Sequence, residues 1–204
     1  YFQSIEKEVD IESCKELGID VIRRITGGGA VYHDYNGEIT YSLIAPVNHP
    51  KIPTDVLDSY EFICGAIING IKQLGVDADF KPVNDILAGE KKISGNAQTR
   101  RYGVILQHGT VLVDSDIHTM FKVLRVSDAK ISDKLIKAVE DRVTNLRKYL
   151  GRNISFREAR EALLYGFEDT FDITLERGRL TDYEEELVMD LLAKYSSNEW
   201  VFQR

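Results

Sequence analysis

The sequence predicts an α+β domain, and three observations carry that prediction. Short apolar segments are joined by tight turns, with Asn36-Gly37 and Gly89-Glu90 as hairpin signals, a pattern that makes antiparallel neighbours. One long amphipathic stretch, Thr54 to Leu74, carries Val56, Leu57, Phe62, Ile63, Ile67, Ile68 and Ile71 at helical spacing and ends at Gly75. Beyond Asp114 the character changes to helix, with capping-box pairs at Ser155/Glu158 and Thr181/Glu184. At 204 residues and 43% hydrophobic content the chain suffices for one substantial domain with a real core. No repeat, low-complexity tract or linker marks a second domain.

The elements follow in order. Asp10 to Leu17 reads as a short helix with Asp10 as N-cap and Gly18 just past its end. Ile19 to Ile25 reads as a strand, Ala30 to His33 as a second and Glu38 to Ala45 as a third, a meander across the turn Gly27-Gly28-Gly29. Pro46 to Pro53 is a loop before the long helix, which is expected to cover one sheet face. Shorter strands come next: Asp79 to Val83, Ile86 to Ala88, Lys91 to Ser94, then a clear one over Gly103 to Val113. Helical segments are expected near Ile117 to Leu124, Ser132 to Lys137 and Val143 to Leu150. The two capping boxes start helices that run to about Phe171 and through Tyr195, with Asp172 to Glu176 as a lone strand between them.

Charge and composition exclude several functions. A formal net charge of -7 argues against a general nucleic-acid binder, so any basic site must be local. No apolar run approaches the roughly 18 to 20 residues that span a bilayer, and no signal-peptide pattern is present, which points to the cytoplasm. Cys14 and Cys64 lie far apart in helix-like surroundings and read as packed thiols. His33, His49, His108 and His118 show no paired spacing for a structural zinc site. The opening Tyr1-Phe2-Gln3-Ser4 is either a tag remnant or native sequence with residues missing ahead of it.

Two stretches hold candidate chemistry. In RRITGGGAVYHD the glycines lack Cβ atoms, so the backbone can take positive φ and bring its amides close to a ligand. Arg23 and Arg24 add permanent positive charge beside it. The turn is either an anion site or a flexible tip with solvated arginines. In NDILAGEKKISGNAQ, Asn84 and Asp85 lie across a hairpin from Lys91 and Lys92, which alternate faces because strand side chains have period two. A lysine near an anion site can act as a point charge on a phosphate, and Asp85 can help hold a metal ion on it. The other reading is an exposed lysine hairpin; Ser94 and Gly95, small and set straight after a strand, suit close approach of a ligand. His108 sits mid-strand among apolar residues and reads as a hydrogen-bonded core residue. A dyad of His33 with Asp34 is disfavoured because adjacent strand residues face opposite ways.

With those motifs in hand, RRITGGGAVYHD and its following TYS, NDILAGEKKISGNAQ and QHGTVLV resemble the three sequential signatures of the lipoate-protein ligase A family, in the biotin/lipoate ligase superfamily. The resemblance spans residues 1 to about 150, and the closing SSNEWVF is also similar. It implies a mixed, mostly antiparallel sheet flanked by helices, of the class II aminoacyl-tRNA synthetase and biotin-ligase kind. The implied activity has two steps: lipoate and ATP, with Mg²⁺, give lipoyl-adenylate, and the acyl group then passes to a lysine of a lipoyl carrier domain. Such carriers are the 2-oxoacid dehydrogenase E2 domain and the glycine cleavage H protein. Carried over by motif, Arg24 and Gly27, Gly28 and Gly29 line the lipoate and adenylate pocket with His33, Ser94, Gly95 and His108. Lys92 matches the active-site lysine, while Asn84 and Asp85 meet the nucleotide and metal. An apolar tunnel for the acyl chain is expected from the sheet and the long helix.

The resemblance also frames the alternatives. The family normally has residues ahead of this start, and many ligases continue into an accessory domain, which in some relatives is a separate protein. Residues 1–204 are therefore expected to be one catalytic domain, without its first residues or an accessory domain. Octanoyltransferases of the same superfamily move octanoyl between carriers without ATP, through a cysteine expected just upstream of the lysine hairpin. This chain reads Asp77-Ala78-Asp79-Phe80 there, which favours the ligase. A binding module that keeps the pocket without turnover is the third reading.

Overall fold

Five strands form one sheet in the computed structural model, which describes residues 3–125 and 141–203. They are β1 (Glu38–Pro46), β2 (Ala78–Lys81), β3 (Asp85–Ala88), β4 (Lys91–Arg101) and β5 (Val104–Leu112), in the spatial order β1-β5-β4-β3-β2. Every pairing between them is antiparallel, so the expected mixed sheet is antiparallel throughout its named strands. Tight turns explain this: Gly89, at φ +60°, joins β3 to β4, and Tyr102-Gly103, both at positive φ, join β4 to β5. A parallel neighbour needs a crossover that so short a connection cannot supply.

The described chain divides by its contacts into two compact units. The larger, residues 33–118 and 141–175, holds the sheet. Its α3 (Val56–Lys72) starts on Asp55, whose carboxylate accepts from the amides of Leu57 and Asp58. Further along, α5 (Leu146–Leu150) is capped by Asn145 and α6 (Phe156–Phe171) by Ser155. Glu158 completes only half of the expected box at Ser155, because its carboxylate binds Arg152. Ile67 and Ile71 of α3 and Leu163 of α6 pack on Ile86, Ile93 and Val111 of the sheet, while Ile63 and Phe171 pack near Ile105. Strand alternation thus puts Tyr41, Leu43, Ile105, Gln107 and Val111 toward the helices.

Where α3 and α6 cross, glycines let the backbones touch. A Cβ on Gly166 would lie 2.1 Å from the Ala66 carbonyl oxygen and 2.5 Å from the Gly70 nitrogen. One on Gly70 would lie 2.7 Å from the Ala162 carbonyl.

The smaller unit comprises residues 3–32, 119–125 and 176–203. It holds α1 (Ile5–Glu8), α2 (Ile11–Glu16), α7 (Asp182–Tyr195) and α8 (Asn198–Val201). Between the units in sequence lies α4 (Ile117–Val123). Asp10 caps α2 as expected, and Thr181 with Glu184 forms the complete capping box of α7. Residues 119–125 run back beside the start of the unit through the Val9–Leu124 bridge.

Several expected elements differ. Residues 19–25 and 30–33 make no strand among the described residues, so Asn36-Gly37 turns the chain without forming a hairpin. The Asp34 side chain accepts from Asn36 N and its carbonyl from Gly37 N, while β1 takes β5 as its partner. Asp172 to Glu176 is also not a strand: Glu168 captures the amide of Leu175 with its carboxylate and that of Ile173 with its carbonyl. The segment Ser132 to Lys137 lies outside the described residues. No helix among the described residues is long and apolar enough to cross a membrane.

Because backbone atoms meet at the helix crossing, Gly166→Ala is expected to destabilise the chain by about 1–3 kcal/mol or more, as overpacking does. Urea unfolding monitored by circular dichroism measures it.

Candidate functional site

A break in strand periodicity places the lysine candidate of the larger unit. Side chains on β4 would alternate from Lys92 through Ser94 and Asn96 on one face, but the β3–β4 register shifts between Ile86 and Leu87. Leu87 pairs with Lys92, Ile86 with Ser94 and Asp85 with Gly95, so Ile93 is the extra residue of a bulge. Ile93 and Ser94 are both buried, while Lys92 joins Gly95 on the face away from α3 and α6. There its ammonium lies 2.6 Å from Asp85 Oδ1.

Gly95 makes this contact possible. A Cβ on it would sit 2.9 Å from Lys92 Cε and 3.0 Å from Nζ. The Lys92 backbone is fixed from the other side, donating to Arg142 O and accepting from Thr144 N. Both side chains of the pair are partly exposed, at 41% for Lys92 and 32% for Asp85, so the pair itself is worth only about 0–1 kcal/mol and the lysine is free to change partner. Asp85 Oδ1 is buried, and the ion pair with Lys92 is the contact it makes. A carboxylate held only by an exchangeable, partly exposed lysine suits Mg²⁺, which binds through one or two carboxylates and substrate phosphates. Lys91, expected on the opposite face from Lys92, reaches toward Asp141 at 3.8 Å.

Beneath this face, on the helix side, runs a polar network. Tyr41 donates to Asn96 Oδ1 at 2.7 Å and accepts from Gln107 Nε2 at 3.0 Å. Burial pushes its hydroxyl far above the ordinary value, so it stays neutral and can do both. Gln107 accepts in turn from Gln98, and Arg100 ties Gln98 to Ser59 and the start of α3. Asn84 donates to the Asn96 carbonyl and accepts from both Asn96 nitrogens, so its amide is committed to the strand. Gly109 leaves room for Asn96, whose Oδ1 a Cβ there would approach to 2.2 Å. Composition hides this network, but its signal was present: Ser94, Asn96, Gln98 and Arg100 recur at every second position of β4.

The remaining residues of the larger unit fall into place by register. His108 pairs with Ser42 on one side and Ala97 on the other, on the same face as Gly95 and Lys92. It is thus not the core residue expected; its neighbour Gln107 is fully buried instead. His33 meets Glu38 rather than Asp34, with Nδ1 2.5 Å from Oε1. Cys64 is fully buried in α3, within 3.8 Å of Gln107 Nε2, and burial pushes its thiol up to about 12. An apolar hollow of about 490 Å³ opens along β1, lined by Leu43, Phe167, Phe171 and Leu175. Its walls come from β1, α6 and the segment that follows α6.

The glycine turn belongs to the smaller unit and is built differently from its expectation. Of the three glycines, Gly28 alone takes positive φ, at +100°. Arg24 closes the turn, donating Nη2 to Gly27 O at 2.7 Å and to Gly29 O at 2.8 Å. Its guanidinium crosses Gly28, where a Cβ would lie 2.8 Å from Nη2. Arg23 instead turns inward, donating to Val201 O and Gln3 O, while Trp200 donates to its carbonyl. Glu8 supplies a carboxylate to the turn: Oε2 accepts from Ala30 N at 3.0 Å. The amide following the glycines therefore already faces an anion, one that the sequence offered no signal to find.

Comparison with known proteins gives the class and then the family. The class is that of α+β enzymes of the lipoate ligase and transferase kind, and this chain belongs to the lipoyl protein ligase A/B catalytic domain family, which matches residues 1–168. An octanoyltransferase LipM from Kyrpidia tusciae is 35% identical, covering 100% of this chain and 82% of the relative. A lipoate-protein ligase A subunit 1 from Thermoplasma acidophilum is 38% identical, covering 98% and 78%. Among solved structures, a bipartite lipoate protein ligase studied with its E2 lipoyl domain, also from Thermoplasma acidophilum, superposes at TM-score 0.89 with 37% identity over 99% of this chain and 78% of that one. A ligase A bound with ATP reaches TM-score 0.85 at 34% identity, covering 99% and 79%. A lipoic-acid-bound relative from Thermoplasma acidophilum also reaches 0.85 at 34%, covering 100% and 80%.

The buried thiol gives a pH prediction. Because the folded value of Cys64 is raised from an ordinary 9.0 to about 12, its burial contributes stability that is fully present below about pH 9 and is lost as pH rises toward 12. Urea midpoints are expected to fall over that window, and less so in Cys64→Ala. At pH 8, iodoacetamide is expected to label Cys64 only after unfolding.

Proposed function

We propose that this chain is an ATP-dependent lipoate-protein ligase, forming lipoyl-adenylate and passing the acyl group to a lysine of a lipoyl carrier domain. The observation that carries this reading is the pairing of a partly exposed cation with the absence of any accessible thiol. Lys92 stands partly exposed beside Gly95, whereas both cysteines of the chain are buried. A transferase working through a thioester needs a thiolate in electropositive, accessible surroundings, and a thiol raised to about 12 in the core is neither ionised nor reachable.

The chemistry asks mainly for placed charge. When the lipoate carboxylate attacks the α-phosphate, negative charge builds on the phosphoryl oxygens. Lys92 neutralises it on leaving Asp85, whose freed carboxylate would hold Mg²⁺ against the phosphates; the metal supplies further charge neutralisation when bound. In the second step the same ammonium stabilises the oxyanion on the acyl carbon. Ser94 and Asn84 act through the strand, since both are engaged inside it, while His33, Gly95 and His108 line the face open to substrate. Arg24 and the turn Gly27 to Gly29 would bind an anion only on exchanging the carbonyl and Glu8 contacts that now engage them. The neighbours bound with ATP and with lipoic acid support these ligands, and the bipartite relative, studied with its E2 lipoyl domain, supports a lipoyl carrier partner and a separate accessory protein. We place the reaction in the cytoplasm.

A second reading, ATP-free octanoyl transfer between carrier proteins, is favoured by the LipM relatives. ATP–pyrophosphate exchange separates the two. Lipoate-dependent exchange is expected, alone or with the accessory protein; no exchange under either condition, with octanoyl transfer from an acyl carrier protein, establishes the rival. Lys92→Ala is expected to lower exchange by at least about 10²-fold, the scale of losing one oxyanion donor, with the far-ultraviolet spectrum unchanged. An undiminished rate refutes the role given to Lys92.

A further inference from the structure

We infer that His33, held by Glu38, is the catalytic base of the transfer step, taking the proton from the acceptor lysine of the carrier; this inference rests on the ligase reading. The pair has the arrangement of a dyad. The Glu38 side chain is 4% exposed and that of His33 is 49% exposed, so the carboxylate is inside and the imidazole reaches outward. Nδ1 of His33 lies 2.5 Å from Glu38 Oε1, which also accepts from Thr40 Oγ1 at 3.3 Å, and Oε2 is buried without a hydrogen bond.

A buried carboxylate left without a positive or donating partner is costly, so Glu38 fixes the tautomer with the proton on Nδ1. That leaves the Nε2 lone pair on the exposed side of the ring. When Nε2 takes a proton, the imidazolium finds its counter-charge already in place. Asp34, the adjacent carboxylate, is occupied by the amides of Asn36 and Asp116.

Register places this dyad on the side of the sheet that carries Lys92. Glu38 pairs with Leu112 of β5, in the row next to Thr40–Thr110–Gly95. It thus lies two strand spacings from the Lys92 end of β4, about 10 Å across the sheet. An acyl-adenylate over Gly95 would have the lysine cation on one side and the imidazole on the other.

The transfer step needs such a group. The carrier lysine attacks as the free amine, a C–N bond forms, the acyl C–O bond to AMP breaks and its electron pair leaves with AMP. The proton shed by nitrogen must go to a base. Lys92 is a cation and Asp85 is engaged with it or with metal, so neither serves. His33 Nε2 accepts that proton and later releases it to solvent.

The test supplies synthetic lipoyl-adenylate to the whole protein in single turnover, with the apo carrier domain or with hydroxylamine as acceptor. Hydroxylamine is neutral near pH 7 and has less need of a base. His33→Gln retains a donor for Glu38 but removes the base, and His33→Ala removes both. Both are expected to slow transfer to the carrier by at least about 10²-fold, the usual contribution of a general base, and to lower pyrophosphate exchange and hydroxylamine cleavage far less. Glu38→Gln is expected to show the same selectivity with a smaller loss. The inference is overturned if exchange and transfer fall by one common factor, if carrier transfer is unchanged, or if the transfer-specific loss appears in His108→Ala instead. A wild-type protein that transfers from supplied adenylate yet exchanges no pyrophosphate refutes only the ligase reading.

Discussion

Lys92 owes its position to one extra residue in β4. Without the bulge at Ile93 the lysine would share a face with Ser94 and Asn96, among the apolar side chains under α3 and α6, where an unpaired ammonium is not tolerated. With it, the charge is delivered beside Asp85, above the gap left by Gly95. Much else in the larger unit serves that arrangement. The bond between Asn84 and Asn96 fixes the strands next to the bulge, and the Tyr41–Gln107–Gln98–Arg100 chain ties β4 to β1, β5 and α3. A satisfied buried network of this kind sets strand register more sharply than apolar packing alone.

The same division of labour explains why polar residues sit on both sides of one sheet. Those facing the helices are mutually bonded and rigid. Those facing away include Lys92, Asp85, Glu38, His108 and small residues, with His33 bonded to Glu38. The glycine turn of the smaller unit follows a similar logic, since Arg24 shapes the loop by binding its carbonyls and Glu8 meets its outgoing amide.

Much of this was legible in the sequence where the signal is local. The long helix and its Asp55 start, the Gly89 turn, β5 and the capping box at Thr181 all follow from spacing and end chemistry within a few residues. What failed was non-local. Residues 19–25 and 30–33 have strand composition but no ladder among the described residues, because side chains of Arg24 and Glu8 answer for backbone groups near the turn. His108 was misplaced because a mid-strand histidine reveals its face only once register is known. The bulge cannot be read from KKISGN, where strict alternation would place Lys92 with Ser94. The His33–Glu38 contact was missed for the same reason: without a hairpin at Asn36-Gly37, residues on either side of the turn approach through side chains rather than through a ladder.

The central claim is that acyl transfer here is driven by placed charge and not by a thiol. Both cysteines lie in the core, so the Cys14→Ala, Cys64→Ala double variant removes every thiol in the chain while leaving the lysine face untouched. The direct measurement is intact-mass detection of lipoyl transfer to the apo carrier domain by this variant, with ATP and lipoate, alongside its circular dichroism. The account predicts ATP-dependent transfer at a rate near that of the unaltered protein. A folded variant that has lost transfer, or an acyl-thioester trapped on a cysteine of the unaltered protein, would contradict it.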